Sequence, residues 1–321
     1  MLMIYECAPM EGVTGDLFRK VQSRHFAPAD RYYTPFISPT ANRNLTNRQL
    51  NEIRPENNEG IHVVPQLLGH NAEDMLWMIN ELKAMGYDEI NYNLGCPSGT
   101  VVSKKKGSGL LSELEMLEKI LDGLFEKSPL PISIKTRIGK ESGEEFAAIL
   151  ELYNRYPVKE LIIHSRCQTQ QYRGLPDMKI WEYALKNSKA PLCYNGNVFH
   201  RPVAEKLTGD YPETERIMIG RGLAANPGLI GELRDGKPVT AEQLKDFHEE
   251  LFEENLRRIV QDKPLLLHMK EAWFYLSCSF EDTAKPLKRI RKAQYIAEYR
   301  AAAEDFFREC PLRENPGFYT E

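Results

Sequence analysis

The feature that most limits what this chain can fold into is an alternation. A short apolar run is followed by a segment of helical period, and the pair repeats eight times over about 230 residues. Strands are expected at Met3–Ala8, Arg31–Ile37, Ile61–Leu67, Glu89–Asn93, Ile132–Thr136, Glu160–His164, Pro191–Tyr194 and Arg216–Ile219. Several are rich in Val, Ile or Tyr, which pack well on a pleated surface. Between them, Ala72–Met85 sets Met75, Met78, Ile79 and Leu82 on one helical face. Ser112–Leu124, opening Ser112-Glu113-Leu114-Glu115, does the same with Leu117, Ile120, Leu121 and Leu124. Ser142–Tyr153 and Pro202–Leu207 read alike. Strand and helix repeated eight times predict a (β/α)8 TIM barrel. A doubly wound open sheet is the main competitor, but no Gly-x-Gly-x-x-Gly follows the first strand.

After Gly236-Lys237-Pro238 the texture changes. Thr240-Ala241-Glu242-Gln243 has the form of a capping box, and Leu265–Leu276 and Lys288–Phe307 carry apolar residues at helical spacing. The division expected is a catalytic barrel over residues 1–238 and a small helical domain over 239–321. The tail from Asn315-Pro316-Gly317 onward is expected to fray. No apolar run approaches the roughly 20 residues that span a bilayer. The start, Met1-Leu2-Met3-Ile4-Tyr5-Glu6, has no basic leader, so a cytoplasmic protein is expected. The six cysteines form no Cys-x-x-Cys pair, which argues against zinc or an iron–sulfur cluster, and reduced thiols are expected. With a net charge of −4, a polyanionic partner needs a local basic patch.

In a barrel of this kind, chemistry sits on the loops that follow the strands. The first strand delivers Pro9, Met10 and Glu11, the third Gln66, the fourth Asn93 and Cys96. The fifth delivers Lys135 and Arg137, the sixth His164 and Arg166, the seventh Asn195-Gly196-Asn197, and the eighth Gly220-Arg221-Gly222. Each has an ordinary explanation alone: Asn-Gly is a turn signal, and a lone His is more often structural than catalytic. Seven of the eight expected strands, however, end in polar or glycine-rich residues that would share one mouth. Gly220-Arg221-Gly222 and Asn195-Gly196 offer backbone N–H groups and a cation to a phosphate. Lys135 and His164 can donate to an electron-rich ring, Gln66 suits imide-like edges, and Pro9 and Met10 supply an apolar floor. Phosphate, polar-edged ring and apolar floor together point to flavin mononucleotide (FMN). Cys96, between Gly95 and Pro97 on a stiff loop, is either a thiol held to meet substrate or a small buried hydrophobe.

These residues resemble the tRNA-dihydrouridine synthases. The matching pieces, in family order over about residues 5–235, begin with Ala8-Pro9-Met10-Glu11-Gly12-Val13-Thr14, Gln66-Leu67-Leu68-Gly69 and Asn93-Leu94-Gly95-Cys96-Pro97. Lys135-Thr136-Arg137-Ile138-Gly139, His164-Ser165-Arg166, Gln171-Tyr172-Arg173-Gly174, Asn195-Gly196 and Ile219-Gly220-Arg221-Gly222 follow. The resemblance implies an FMN enzyme, reduced by NADPH or NADH, that saturates the C5–C6 bond of a uridine in tRNA. It implies hydride transfer from flavin N5 to C6 and a proton from Cys96 to C5. It implies flavin contacts from Pro9, Met10, Glu11, Gln66, Lys135, His164, Asn195, Gly196, Asn197, Gly220 and Arg221, and substrate contacts from Asn93, Arg137 and Arg166. Two departures stand out: many members have Gly where Ser165 stands, and an acidic residue is common at the place of Asn197.

A base inside folded tRNA must be turned out to be reduced, so the enzyme has to hold the backbone nearby. Lys285, Lys288, Arg289 and Lys292 fall at i, i+3, i+4 and i+7, one basic helical face with Arg291 beside it. Lys104, Lys105 and Lys106 flank the cysteine loop. Neither a membrane nor a metal is expected as a partner, and a monomer is expected. Two other readings compete: a flavin barrel acting on a free pyrimidine, and a non-enzymatic RNA-binding scaffold.

Overall fold

The computed structural model describes residues 2–319. The eight expected strands are present, the third split in two by Pro65, which has no N–H to give a ladder. In chain order come β1 (Ile4–Cys7), α1 (Asp16–His25), β2 (Arg31–Tyr33), α2 (Asn47–Ile53), β3 (Val63–Val64) and β4 (Gln66–Leu67). Then follow α3 (Ala72–Ala84), β5 (Ile90–Leu94), α4 (Gly99–Val102), α5 (Leu114–Lys127), β6 (Ile132–Arg137) and α6 (Phe146–Tyr153). Next are β7 (Leu161–His164), α7 (Met178–Asn187), β8 (Leu192–Asn195), α8 (Arg201–Asp210) and β9 (Arg216–Ile219). Beyond these are α9 (Arg221–Ala225), α10 (Leu229–Asp235), α11 (Ala241–Arg258), α12 (Asp262–Leu276), α13 (Ala284–Lys292) and α14 (Ile296–Glu309).

The strands are ordered β3-β2-β1-β9-β8-β7-β6-β5-β4. The two end strands, β3 and β4, are consecutive in the chain across Pro65, so the sheet closes on itself as a barrel of eight staves. A parallel bridge from Ile37 to Leu67 extends the seam. The chain divides into two compact units. One is Met1–Pro9, Asp30–Asn197 and Thr208–Met218, which holds nearly all of the barrel; the other is Met10–Ala29, Val198–Leu207 and Ile219–Glu321.

Residues two apart on a strand share a face, and register stacks them across strands. Asn91 lies opposite Ser133, Asn93 opposite Lys135, Arg137 opposite His164, and His164 opposite Asn195. This register sorts the barrel interior by depth. Midway lies an apolar layer of Ala8, Tyr33, Val64, Ile162, Cys193 and Met218. Toward the strand starts lies a charged layer. Glu160 accepts the Tyr33 hydroxyl at 3.2 Å and pairs with Arg31 at 3.2 Å and with Arg216. Glu6 touches Glu160, and burial, then the charge of Glu160, raises its carboxyl well above the usual range. Ligand atoms of Glu6, Glu160 and Cys193 lie within 4.8 Å of one another, but Arg31 and Arg216 already answer their charge. Nothing local in the strand pattern announces this layer, because its partners come from separate strands.

The Thr240 capping box forms as the sequence predicts, and Ser142 makes a second one at the turn Gly143–Glu145. Three expectations are corrected. Ser112 does not start a helix: it ends a 3₁₀ turn, Gly107–Ser112, and α5 begins at Leu114. Lys288–Phe307 is not one helix: Ala293 and Tyr295 are extended, and the break lets α13 and α14 bury separate stripes. Nor does the tail fray from Asn315. Phe318 is buried, and its N–H donates to the Phe199 carbonyl at 3.3 Å; the last two residues lie outside the described ones. In the second unit, a polar triad crosses an aromatic core. Trp273 Nε1 donates to Tyr299 Oη at 2.8 Å, and Tyr299 lies 2.7 Å from His248 Nε2. Tyr299 Oη accepts from Trp273 and shares a hydrogen bond with His248, and burial, which disfavours the charged imidazole, lowers His248 to about 3.

Candidate active site

The cysteine loop is set by a one-way chain of hydrogen bonds rising through the barrel. Ser133 Oγ donates to the Ile90 carbonyl at 3.2 Å, and Asn91 Nδ2 donates to Ser133 Oγ at 3.0 Å. Gln66 Nε2 donates to Asn91 Oδ1 at 2.8 Å, and Asn93 Nδ2 donates to Gln66 Oε1 at 2.7 Å. Asn93 Oδ1 then accepts the N–H groups of Gly95 at 3.0 Å and Cys96 at 2.9 Å. Each amide serves as donor and acceptor, so reversing one would break its neighbours. Gln66 and Asn93 therefore do not stand singly at strand ends; they carry the backbone of Cys96.

The far side of that loop is pinned as well. The Cys96 carbonyl accepts from Ser108 N at 3.2 Å and Ser108 Oγ at 2.8 Å. Gly107 has φ +55°, and a Cβ there would stand 2.9 Å from the Cys96 carbonyl oxygen. Cys96 itself is half-buried. Lys104 and Lys105 are exposed next to this turn, and Lys105 pairs with Glu113 at 3.1 Å.

Lys135 stands in register with Asn93 on the adjacent strand. Burial, then the like charge of Arg137, brings its ammonium down to about 8; Cys193 and Cys96 pull the other way. Its side chain makes no hydrogen bond or ion pair among the described residues. Arg137 is fully enclosed. It donates to the carbonyls of Gly95 at 2.9 Å, Cys167 at 3.0 Å and Gln171 at 2.8 Å, tying the cysteine loop to the loop after β7. Its guanidinium lies 5.6 Å from the centroid of Tyr172.

Arg166 Nη1 lies 3.1 Å from His164 Nε2. An arginine can only donate, so Nε2 is the acceptor and His164 carries its proton on Nδ1. Arg166 also donates to Asn197 Oδ1 at 3.0 Å, so the amide oxygen of Asn197 supplies an acceptor to the guanidinium. Ser165 is fully buried, and its hydroxyl has no hydrogen-bond partner among the described residues. Asn195 donates to the Met218 carbonyl at 2.9 Å, and a Cβ on Gly196 would fall 2.2 Å from Tyr194 Oη.

The strand-end residues Gln66, Asn93, Lys135, Arg137, His164, Arg166, Asn195, Gly196 and Asn197 thus share one end of the barrel unit, as does Pro9. Met10, Glu11, Gly220 and Arg221 belong to the second unit. There, Met10 closes a turn in which its carbonyl accepts from Val13 and Thr14, and Glu11 is exposed. Residues 6–309 match the sequence model of the family described as Dihydrouridine synthase (Dus). The chain belongs to the dihydrouridine synthase family. It is 29% identical over 262 residues to a "Probable tRNA-dihydrouridine synthase 1" of Synechocystis, covering 76% of this chain and 70% of that protein. It is 28% identical over 310 residues to a "Probable tRNA-dihydrouridine synthase" of Staphylococcus aureus, covering 93% and 92%. A Bacillus subtilis "Probable tRNA-dihydrouridine synthase 2" is 26% identical over 319 residues, covering 94% and 93%. Among solved structures, morphinone reductase is similar in fold, with a TM-score of 0.52 and 14% identity over 74% of this chain and 87% of that one. Membership of the dihydrouridine synthase family makes the chain an oxidoreductase. No helix among the described residues is long and apolar enough to cross a membrane.

Two interior residues of this dihydrouridine synthase, Asn91 and Ser133, join the site without a motif to mark them, and Tyr172, within the matched Gln171–Gly174 piece, flanks it. Asn91 and Ser133 are mid-strand, where alternation assigns them to the barrel interior, but their polarity there was the unused signal. Tyr172 is 57% exposed, with its ring centroid 6.0 Å from that of His164. On α13, Lys285, Lys288, Arg289 and Lys292 are all exposed while Pro286, Leu287 and Ile290 are buried; Arg289 pairs with Glu309 at 2.6 Å.

Proposed function

We propose that this enzyme reduces the C5–C6 double bond of a uridine in tRNA, with FMN as resident cofactor and NADPH or NADH as reductant. The observation that carries the reading is the register of Asn93, which fixes Cys96, with Lys135 on the next strand, a half-buried ammonium with no hydrogen bond or ion pair among the described residues. A half-buried ammonium of this kind fits the electron-rich pyrimidine edge of a flavin. His164, with its proton on Nδ1, offers a second donor. A Cβ on Gly222 would fall 2.3 Å from the Val198 carbonyl oxygen, so glycine there serves backbone-on-backbone packing. Gly220 and Arg221 are assigned to the cofactor phosphate, Asn195, Gly196 and Asn197 to the cofactor, and Pro9, Met10, Glu11 and Gln66 to its ring.

When bound, FMN supplies the hydride, from N5 to C6 of the uracil. Negative charge then develops at C5, where a proton is required. Cys96 gives that proton, from a loop whose two sides are tied down by Asn93 and Ser108. Fixing the donor in this way removes motion that would otherwise be lost on reaching the transition state. Asn93, Arg137 and Arg166 shape the pocket that receives the base. Residues 239–321, through the basic face of α13, and Lys104 and Lys105 hold the tRNA backbone. We assign the enzyme to the cytoplasm as a monomer that needs no metal.

The deciding experiment is dihydrouridine mapping of tRNA incubated with NADPH and either native or Cys96→Ala protein. The native protein is expected to be yellow and active, and the variant yellow with most reduction lost. A colourless native protein, or unimpaired reduction by the variant, would overturn the reading.

A further inference from the structure

The break between α13 and α14 carries a tyrosine that the fold does not account for. Tyr295 is 62% exposed, so it was not placed there to fill a core. It stands at the N-cap of α14, where Ser, Thr, Asp and Asn are favoured because a short side-chain oxygen can reach the first N–H groups; its own side chain caps nothing. Its ring and hydroxyl make no ring stack, cation contact or hydrogen bond among the described residues. The backbone that carries it is nonetheless held from both sides. Ala293 is buried, its N–H donates to the Arg289 carbonyl at 3.1 Å, and its carbonyl accepts from Lys270 Nζ at 2.5 Å. Beyond it, Gln294 N–H donates to Glu298 Oε2 at 2.9 Å, and the Tyr295 carbonyl accepts the Tyr299 N–H at 3.0 Å. The helix that leads into this fixed break is cationic. Lys285, Lys288, Arg291 and Lys292 are exposed on it, and none has an ion pair or hydrogen bond among the described residues.

We propose that Tyr295 is a stacking platform for an unpaired base of the RNA whose backbone α13 holds; this rests on the tRNA reading above. Unanswered cations suit phosphates, which fix where the RNA lies but not what it presents. A bare aromatic face at the end of the cationic helix suits the other part of a nucleotide. Bases turned out of RNA loops stack on exposed tyrosines, whereas a base inside a duplex has both faces covered. A tyrosine has few rotamers to lose on doing so, and here its backbone is already ordered. Every base has a π face, so the contact selects RNA with an unpaired base beside the bound backbone, whatever its sequence.

The test measures binding of the full-length enzyme to tRNA, to a single-stranded RNA oligonucleotide and to a blunt RNA duplex by filter binding. Tyr295→Leu keeps apolar bulk and removes the aromatic face. It is expected to weaken binding of tRNA and of the single strand about 10-fold and of the duplex less than about 2-fold, with the salt dependence unchanged. Tyr295→Trp is expected to bind all three at least as tightly as the native enzyme. Unchanged tRNA affinity in Tyr295→Leu overturns the proposal. So does equal loss on the duplex, or a Tyr295→Trp as weak as Tyr295→Leu, either of which marks a ring that acts without stacking. If Lys288→Glu with Arg289→Glu leaves tRNA affinity undiminished, the assignment of α13 to the RNA has itself failed, and the proposal with it.

Discussion

Asn93 Oδ1 accepts the Cys96 N–H at 2.9 Å, while its amide nitrogen donates downward into the barrel. Asn93→Ala is therefore expected to leave flavin bound but lower the reduction of tRNA about 100-fold, since small displacements of a reacting group are that costly. Single-turnover oxidation of reduced enzyme by tRNA measures it. A variant within about 3-fold of native would show that Asn93 does not position the thiol.

Lys135 gives a pH signature. Its ammonium loses its proton near pH 8, so the charged form that would favour an electron-rich ring is present below that value. Affinity of the flavin-free protein for FMN is expected to fall as pH rises through about 8, and to be weaker and flatter in Lys135→Met. Titration by fluorescence quenching from pH 6.5 to 9.5 separates the two; parallel profiles would remove Lys135 from the flavin.

The charged layer predicts an asymmetry between two carboxyls. Glu6 is raised by burial and favours the acid, which glutamine imitates, so Glu6→Gln should cost about 1 kcal/mol or less. Glu160→Gln removes the counter-charge of Arg31 and Arg216 and should cost about 3–5 kcal/mol. Urea unfolding compares them, and similar losses would contradict the proposed sharing of charge.

His248 should make stability depend on acid. The folded side chain titrates near 3 and the unfolded one near 6.5, so between those values the unfolded state binds the extra proton. Its contribution is complete above about pH 6.5 and is lost as pH falls toward 3, about 2 kcal/mol between pH 7 and 5. Relative to native protein, His248→Gln should gain that amount over this interval. A constant difference in chemical denaturation would show that His248 is not buried neutral.

The basic face of α13 is tested by Lys288→Glu with Arg289→Glu. Weaker tRNA binding, a shallower dependence on salt and unchanged flavin content are expected, as for lost phosphate contacts. Filter binding across salt concentrations reads this; undiminished affinity would move the RNA elsewhere.

The barrel was legible because each strand is an apolar run that stops at a polar or glycine residue, and backbone alternation fixes which side chains turn inward. Ile61–Leu67 reads as one strand; Pro65, which has no N–H, divides it, and the closed sheet shows that both halves occupy one stave. The site residues could be enumerated one strand at a time. Their linkage could not, because Gln66, Asn91 and Ser133 meet only when three strands are in register. The two corrected helix limits and the ordered tail share a cause. Local apolar spacing continues through Ala293–Tyr295, and Pro316-Gly317 looks loose, until tertiary packing decides both.

The directed amide chain also constrains how such a sequence can drift. Exposed lysines around the cysteine can be exchanged singly without disturbing the loop, since water replaces what they lose within the fold. The interior amides and the serine beneath them can change only in concert, because any one replaced alone strands the next. Lineages that keep this loop should therefore inherit Ser133, Asn91, Gln66 and Asn93 as a block.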